Sequence, residues 1–323
     1  MRRQGFLACR TAIRRLHRGF VSPANSPSWR RRREARAGWR TFAEGPHRGR
    51  GLIGGDREQH IRVDDTNLEI CRTIYVLGAR PVAITNKQSG TNVHEVAEQI
   101  YRISTPVLID GAGGFSFNQY LIVGDQPLLF HTGPRRMFPL VREAVASILP
   151  VEQLRYIAFS HVEADECGSL NEWLVAAPQS VPLCGNVAAM VSISDLADRP
   201  PRALADGERL PLGKHTVRWF DAPHVPHGWD CGFLAEERTA TLLCGDLFTQ
   251  GGADLPPVTE SDILGPSEAF RAKMDYFSHT KNARVVLEKL ASTNPTTLAC
   301  MHGSAWRGDG ASLLLALADA LAK

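Results

Sequence analysis

The nine residues SHVEADECG at 160–168 constrain the fold of this chain more than any other stretch. They directly follow a strand-like apolar run at 154–159, so they are predicted to form the turn at the carboxyl end of that strand. In an extended turn, residues two apart point the same way, and His161, Glu163 and Asp165 can therefore converge on one point. A lone triad of this kind is also common in solvated loops, so the metal-site interpretation depends on the rest of the chain.

Three further polar residues, His224, Asp246 and His302, each immediately follow an apolar strand-like run. Strand ends are where a rigid scaffold commonly presents functional loops. The six side chains include three carboxylates, whose charge of about −3 nearly balances two divalent ions, whereas a single ion would leave buried charge poorly paired. We therefore predict a dinuclear metal site. Its predicted ligands are His161, Glu163, Asp165, His224, Asp246 and His302.

Two periodicities alternate along the chain after residue 92. Alternating apolar residues around turn residues predict strands, several of them paired as hairpins, and apolar residues at helical spacing predict helices. The predicted strands are 100–104, 118–123, 127–131, 154–159, 181–184, 209–212, 216–220, 232–235, 241–244 and 297–301. The predicted helices are 137–149, 170–177, 187–196, 267–279, 283–291 and 311–322. This mixture predicts an α+β fold in which two sheets pack together with helices outside.

The basic charge of the chain is concentrated at its start. The first fifty residues contain fourteen Arg, no Lys and two acidic residues, about +12, so the net +3 leaves the remainder near −9. Few apolar residues surround this charge, and we expect 1–65 to be a disordered Arg-rich leader. A targeting peptide, a start codon further in and a role at nucleic acid or membrane surfaces stay open, although no nucleic-acid partner is expected. A lead-in segment is expected at 66–91, and the metal-binding domain at 92–323.

Cysteine usage and hydropathy predict the compartment. The seven cysteines include no C-x-x-C pair, which favours a reducing, cytoplasmic environment over a disulfide framework or a zinc ribbon. No apolar run approaches the ~20 residues that span a bilayer, so no transmembrane segment is expected. Cys167 lies inside the ligand turn, where it is either a packed thiol, which we favour, or a redox-sensitive neighbour of the metals. The sequence does not predict an oligomeric state.

The order of the predicted ligands resembles that of the metallo-β-lactamase fold superfamily. The resemblance rests on His161-x-Glu163-x-Asp165, on Pro-His-x-Pro at 223–226, on Gly-Asp at 245–246 and on Met-His-Gly at 301–303. It covers about 92–323. It implies a four-layer αβ/βα sandwich of two mixed β-sheets with helices outside.

Within that superfamily, the carboxylate of Glu163 at the second ligand position is similar to the diiron domain of flavodiiron oxygen and nitric oxide reductases and related oxygen-binding diiron proteins. The motif CMHGSAWR at 300–307 also resembles their closing motif. This resemblance implies two iron ions, with manganese or zinc as alternatives, since oxygen ligands favour the harder metals. Glu166 stands where the family commonly has His, so one metal could have a different ligand, a water or none. No FMN site is expected in this chain.

Three functions are consistent with this predicted dinuclear metal site. The first is a diiron protein that binds or reduces a small oxidant such as O₂ or NO with electrons from a separate partner. In that case His161, Glu163 and Asp246 hold one iron, and Asp165, His224 and Asp246 or His302 share the other. The second is a hydrolase that uses a metal-bound hydroxide. The third is a diiron oxygen or redox sensor without catalysis.

Several neighbouring residues could belong to the site. His227 could replace His224 as a ligand, but the His-x-Pro match favours His224 and makes His227 a second-shell candidate. On this basis Asp246→Asn is expected to lose at least one ion and His227→Ala to keep both. His131 is expected to be a core histidine. The pocket mouth or the core is expected to contain Tyr101, Tyr120, Phe115 and Phe117.

Removal of the Arg-rich leader is predicted to leave the metal-binding domain intact. A chain lacking residues 1–65 should keep its metal content and thermal stability, because the leader lacks apolar periodicity and every predicted ligand lies beyond it. Elemental analysis and thermal denaturation of both chains would measure this. A large fall in melting temperature would show that the leader packs on the domain.

Overall fold

A computed structural model of the chain describes residues 82–109, 113–279 and 281–322. The predicted leader and the lead-in segment up to residue 81 lie outside these residues. The last part of the lead-in segment forms strand β1 (Ala83–Asn86), which pairs antiparallel with β2 (Thr91–Ala97), so the first sheet begins upstream of residue 92. Within the described residues, no helix is long and apolar enough to cross a membrane.

The described residues form two mixed sheets, the first with eight strands in the order β1 to β8. After β1 and β2, its strands are β3 (Ile100–Ile109), β4 (Gly113–Ile122), β5 (Leu128–Phe130), β6 (Tyr156–Ala158), β7 (Val181–Gly185) and β8 (Arg202–Leu204). Neighbours from β1 to β5 are antiparallel, and those from β5 to β8 are parallel. The parallel strands therefore bring their carboxyl ends to one edge of the sheet.

The second sheet has seven strands in the order β13-β15-β14-β12-β11-β10-β9. They are β9 (Arg209–Pro211), β10 (Thr216–Asp221), β11 (Gly232–Glu236), β12 (Thr241–Leu243), β13 (Val258–Thr259), β14 (Thr297–Ala299) and β15 (Ala305–Arg307). Strands β12 and β14 are parallel, so the residues that follow them emerge side by side. The hairpins predicted at 209–220 and 232–244 are confirmed as antiparallel pairs.

Eight α-helical segments occur among the described residues, and buried side chains of the longer ones pack against the outer faces of the sheets. They are α1 (Phe138–Ala146), α2 (Ala164–Cys167), α3 (Leu170–Ala176), α4 (Asn186–Ala188), α5 (Ser194–Leu196), α6 (Leu264–Met274), α7 (Ala283–Ala291) and α8 (Gly310–Leu321). A π-helical turn, Ala189–Ile193, joins α4 to α5. Helix α6 ends five residues before the predicted boundary, because Asp275 adopts a left-handed conformation with φ +46°.

Alternation of side chains across the strands explains the layers. In β5, Leu128 and Phe130 pack between the two sheets, whereas Leu129 on the other face packs against the helices beside the first sheet. In the second sheet, Leu234 faces the inter-sheet core and Phe233 faces the helices. Three buried clusters result, one between the sheets and one under each helical layer. The predicted four-layer αβ/βα sandwich is confirmed.

Replacement of Trp219 is predicted to destabilise the inter-sheet core. Its side chain is completely buried there, and its indole N–H donates to Asp221 at 2.7 Å. Trp219→Ala should lower the free energy of unfolding by about 3–5 kcal/mol, because the cavity it leaves cannot fully collapse. Denaturant unfolding measures the loss. Val285→Ala, at a position 71% exposed on α7, is the control and should change stability by less than about 0.5 kcal/mol.

Candidate metal centre

Four side chains form the first ligand group, which has a tight core of three atoms. Nε2 of His161 lies 2.9 Å from Nε2 of His227 and 3.1 Å from Oε2 of Glu163, and His227 Nε2 is 2.9 Å from the same carboxylate oxygen. The fourth member is Asp246, whose Oδ2 lies 3.4 Å from His227 Nε2 and 3.7 Å from His161 Nε2. Their ligand atoms all lie within 4.8 Å of one another, close enough to hold one metal ion.

Three side chains form the second ligand group beside the first. These are Asp165, Glu166 and His302, whose ligand atoms also lie within 4.8 Å of one another. Nε2 of His302 is 3.4 Å from Oδ2 of Asp165. The same nitrogen is 3.3 Å from Oδ1 of Asp246. Asp246 therefore presents one carboxylate oxygen to each group, which is the arrangement of a carboxylate between two metal ions.

Strand ends from both sheets deliver these residues. Strand β6 leads into His161, and the short helix α2 then carries Asp165 and Glu166. Asp246 follows β12 after Gly245, which has φ +48° and packs so closely that a Cβ atom there would lie 3.0 Å from Ser160 Oγ. Glycine thus allows the strand end to approach the site.

The rear nitrogens of the imidazoles fix the direction of each ring. Nδ1 of His227 lies 2.9 Å from the carbonyl oxygen of Tyr276, and Nδ1 of His302 lies 2.8 Å from that of Ser116. A carbonyl only accepts hydrogen bonds, so each Nδ1 carries a proton and donates it. In the neutral ring Nε2 then presents a lone pair to the ligand group. Such backing of a ring by a carbonyl is typical of metal-bound histidines.

The donor set fits metal ions because it is rich in acceptors and poor in protons. Glu163, Asp165, Glu166 and Asp246 supply four carboxylates, about −4 in total, which two divalent ions would balance. Glu166 is fully buried, and among the described residues no N–H or O–H group donates to either of its oxygens. Buried carboxylate oxygens without a donor are costly unless a cation pairs with them.

Without metal, protons and mutual attraction partly compensate this charge. Burial, followed by the charges of Asp246 and Asp165, raises the pKa of Glu166 well above its ordinary value. Burial opposes ionisation of Asp246, but the hydrogen bond and charge of His302 outweigh it and lower the pKa of that carboxyl. Burial likewise opposes protonation of His302, but its hydrogen bonds to Asp165 and Asp246 and their negative charges outweigh burial and raise its pKa to about 9. Hydrogen bonds from His161 and His227 hold the pKa of Glu163 at about 2.

Five of the six predicted ligands come together, but His224 joins neither ligand group. Its backbone N–H donates to the carbonyl of Gly228 at 2.8 Å, and its ring packs on His279 with the centroids 4.4 Å apart. The turn closed by that hydrogen bond directs His227 to the site instead. The geometry therefore favours His227 over His224 as a ligand, contrary to the preference drawn from the His-x-Pro match. One signal for His227 in the sequence was the glycine that directly follows it. A Cβ atom at Gly228 would lie only 3.3 Å from His161 Cβ, so glycine allows this turn to approach the site.

The structure also separates the other candidates. The ring of Phe115 stacks on that of His302 at 4.2 Å and Phe117 meets it edge-on at 5.4 Å, so both lie at the site. Tyr120 is buried between the sheets, and Tyr101 packs on the helix side of the first sheet. The sequence reasoning missed Asp230, whose carboxylate accepts from the Val162 N–H at 2.9 Å.

His131 and Cys167 occupy supporting positions. Nε2 of His131 lies 3.0 Å from Ser160 Oγ, which itself is 2.9 Å from His161 Nδ1. Burial lowers the pKa of His131 to about 3, so this ring is neutral and belongs to the core behind the ligands. The Cys167 thiol donates to the carbonyl of Glu163, and burial raises its pKa to about 12, which makes it a packed thiol.

Side chains from the first sheet hold the loop that carries His302. Asn118 Nδ2 donates to the carbonyls of Cys300 and Gly303 at 3.0 and 2.8 Å, and the Tyr120 hydroxyl donates to Cys300 at 2.8 Å. The buried guanidinium of Arg102 also donates to Gly303 at 2.8 Å. These hydrogen bonds join the two sheets directly behind the second ligand group.

A family comparison agrees with the fold and the site. The model of the ODP family beta lactamase matches residues 115–303, more than half of the chain. The chain therefore belongs to this family of metallo-β-lactamase-fold proteins. The matched range contains all seven residues of the two ligand groups.

Curated relatives are flavodiiron-type proteins of greater length. A Nostoc protein described as a diflavin flavoprotein is 27% identical over 59% of this chain and 33% of its own length. The rubredoxin-oxygen oxidoreductase of Megalodesulfovibrio gigas is 25% identical, covering 60% of this chain and 50% of the relative. The anaerobic nitric oxide reductase flavorubredoxin of Pectobacterium atrosepticum is 25% identical, covering 62% of this chain and 41% of the relative. The chain thus spans a third to a half of these relatives.

Solved structures show the same fold. The flavodiiron protein of Giardia intestinalis superposes with a TM-score of 0.62 at 19% identity, covering 70% of this chain and 58% of that one. Rubredoxin oxygen:oxidoreductase from Desulfovibrio gigas superposes with a TM-score of 0.61 at 20% identity, covering 70% of this chain and 61% of that one. The architecture of this chain is therefore that of their metallo-β-lactamase-fold domains.

The two neighbouring histidines are predicted to differ in their effect on metal content. His227→Ala should lose at least one ion per chain, because its Nε2 lies within 3.4 Å of two carboxylates of the first group. His224→Ala, the matched control, should keep both ions, because that ring packs on His279. Elemental analysis of the purified variants measures this. Full metal content in His227→Ala together with loss in His224→Ala would restore the original assignment.

Proposed function

We propose that this chain holds two iron ions, one at each ligand group, and uses them to bind or reduce a small oxidant such as O₂ or NO. The observation that carries the proposal is the placement of Asp246, which turns one carboxylate oxygen toward each group. The first ion would be held by His161, Glu163, His227 and Asp246, and the second by Asp165, His302 and Asp246. Glu166 belongs to the second ligand group and lies beside these residues.

The donor set supports iron over zinc. Carboxylate oxygens outnumber imidazoles, and hard oxygen donors suit iron and manganese, whereas imidazole-rich and thiolate sites are usual for zinc. The names of two relatives also support an oxidant as substrate, since one is an oxygen oxidoreductase and another a nitric oxide reductase. A metal-dependent hydrolase stays the alternative, and zinc at both positions would support it.

The reaction would use the ions for electron transfer and the protein for binding and exclusion of water. Two iron ions held by these residues would supply the electrons for reduction of a small diatomic ligand. Aromatic rings flank the site: Phe115 stacks on His302 and on Phe270, and Tyr276 lies between Phe270 and His227, with centroid distances from 4.2 to 6.1 Å. This apolar wall admits an uncharged gas more readily than a polar substrate, because polar groups lose hydration there without gaining partners.

Electron delivery is assigned to a separate redox partner. The match with the relatives covers only a third of the diflavin flavoprotein and half of the rubredoxin-oxygen oxidoreductase. We propose that electrons reach the site from a separate redox protein, and the name of the rubredoxin-oxygen oxidoreductase among the relatives supports this. A sensor that only binds the gas would need no such partner.

The protein isolated from its source is predicted to contain about two iron ions per chain, and its reduced form should react with O₂ or NO. Elemental analysis gives the metals, and anaerobic mixing of the chemically reduced protein with each gas gives a change in the optical spectrum. Asp246→Asn is expected to lose at least one ion and the gas-dependent change, because an amide has one good acceptor and no charge.

Two other experimental results would favour a different function for this chain. Two zinc ions at full occupancy with no iron-dependent spectrum would favour the hydrolase. Gas binding without turnover in the presence of an excess of reductant would favour the sensor.

A further inference from the structure

Three basic side chains, none of them a member of either ligand group, come together from strands of both sheets. His94 on β2 stands directly opposite Arg102 on β3 in the antiparallel register, so their side chains are neighbours on one face. Arg307 on β15 reaches the same strand from the second sheet, because its guanidinium donates to the carbonyl of Val96 at 2.9 Å. Val96 lies two residues beyond His94. The three basic groups therefore meet where β2 and β15 approach each other.

Side-chain alternation places this basic cluster between the two sheets. Arg102 stands opposite Tyr120 of β4, and Tyr120 belongs to the inter-sheet core. In β15, Ala305 belongs to that core and Trp306 packs on the helix side, so Arg307 points back into the space between the sheets. His94 is half-buried and Arg307 is exposed, whereas Arg102 is only 2% exposed. The cluster thus opens to solvent at Arg307 and ends at the buried Arg102.

No carboxylate compensates the positive charge of this cluster. Within the part of the chain that the structure describes, neither Arg102 nor Arg307 forms an ion pair, whereas six other arginines do: Arg135, Arg202, Arg209, Arg238, Arg271 and Arg284. Nε of Arg102 and Nδ1 of His94 are buried there without a hydrogen-bond partner. Glu95 is the carboxylate next along β2, but it stands opposite Tyr101 on the helix side of the sheet. A buried charge and buried donors in this state are costly unless an anion pairs with them.

The positive potential between the sheets is visible in the neighbouring histidine. Burial, followed by the charges of Arg102 and Arg307, lowers the pKa of His94, and the charge of Glu95 opposes this only in part. The imidazole is therefore neutral near pH 7. With His94 neutral, the two guanidinium groups carry about +2, which one doubly charged oxyanion such as hydrogen phosphate balances.

We propose that His94, Arg102 and Arg307 bind a phosphate group between the two sheets, either as inorganic phosphate or as the end of a small phosphomonoester. Guanidinium groups are well suited to this ligand because their N–H groups match the spacing of phosphate oxygens. The depth of Arg102 admits only a small group, which excludes the backbone of a nucleic acid. The site is separate from the two ligand groups and requires no metal ion.

The test titrates the full chain, with its metals, against inorganic phosphate at constant ionic strength in a calorimeter. We expect saturable binding with one site at the basic cluster. Glycerol 3-phosphate is the second probe: binding of both identifies a phosphomonoester as a possible ligand, and binding of phosphate alone identifies the free anion. Absence of saturable binding of either probe would overturn the proposal.

Variants assign the binding to the basic cluster. Arg102→Met and Arg307→Met should each weaken phosphate binding by about tenfold or more, because each removes a charge-assisted hydrogen bond. Arg307 is exposed, so its variant keeps the test valid if Arg102→Met does not fold. Arg209→Met, on β9 with a side chain 62% exposed, is the matched control and should bind phosphate as the unmodified chain does. Unchanged affinity in Arg307→Met would contradict the assignment.

Phosphate can also bind to metal ions, and Asp246→Asn separates the two possibilities. This variant is expected to lose metal, yet it should keep the phosphate site because none of the three basic residues is a metal ligand. Binding that is lost in Asp246→Asn and kept in Arg307→Met would place the anion on the metals and overturn the proposal. A failure of the proposed oxidant chemistry would leave phosphate binding unaffected, so the two proposals can fail independently.

Discussion

The mutual repulsion of four carboxylates is the constraint on which the rest of this structure depends. Glu163, Asp165, Glu166 and Asp246 lie together with three imidazoles that direct their Nε2 atoms at the same space. Such a set is stable as a folded arrangement only with protons or cations to compensate it. The rigid frame around it, two sheets with a buried core between them, supplies the strand ends that hold these groups against their repulsion.

The fold and most of the site could be predicted from the sequence because their signals are local. His161, Glu163 and Asp165 share one turn, and the strands and helices of the second half have clear periodicity. The geometry places His227 rather than His224 in the first ligand group, and this placement depends on a backbone hydrogen bond from His224 to Gly228 that the His-x-Pro match does not indicate. The short strands β8, β13 and β15 were not predicted, because their two or three residues do not belong to a longer apolar run that would mark them as strands.

For Glu166, the family resemblance and the structure give different kinds of information about the side chain. The sequence identified it as a departure at a ligand position without indicating whether the new carboxylate points to the metals or to solvent. The structure places it in complete burial beside Asp165 and His302. The role of Glu166 therefore has to be inferred from the structure of this chain, because the family pattern has a different side chain at this position.

The ligands come from both halves of the sandwich: four follow β6 of the first sheet, and three follow or connect strands of the second. Bound ions would act as a cross-link between the layers, beside the hydrogen bonds from Asn118 to Cys300 and Gly303. Metal capture and closure of the sandwich then form one linked equilibrium. The lifetime of the folded chain in a cell would therefore depend on the supply of metal, so that starvation for metal would remove the protein itself as well as its activity.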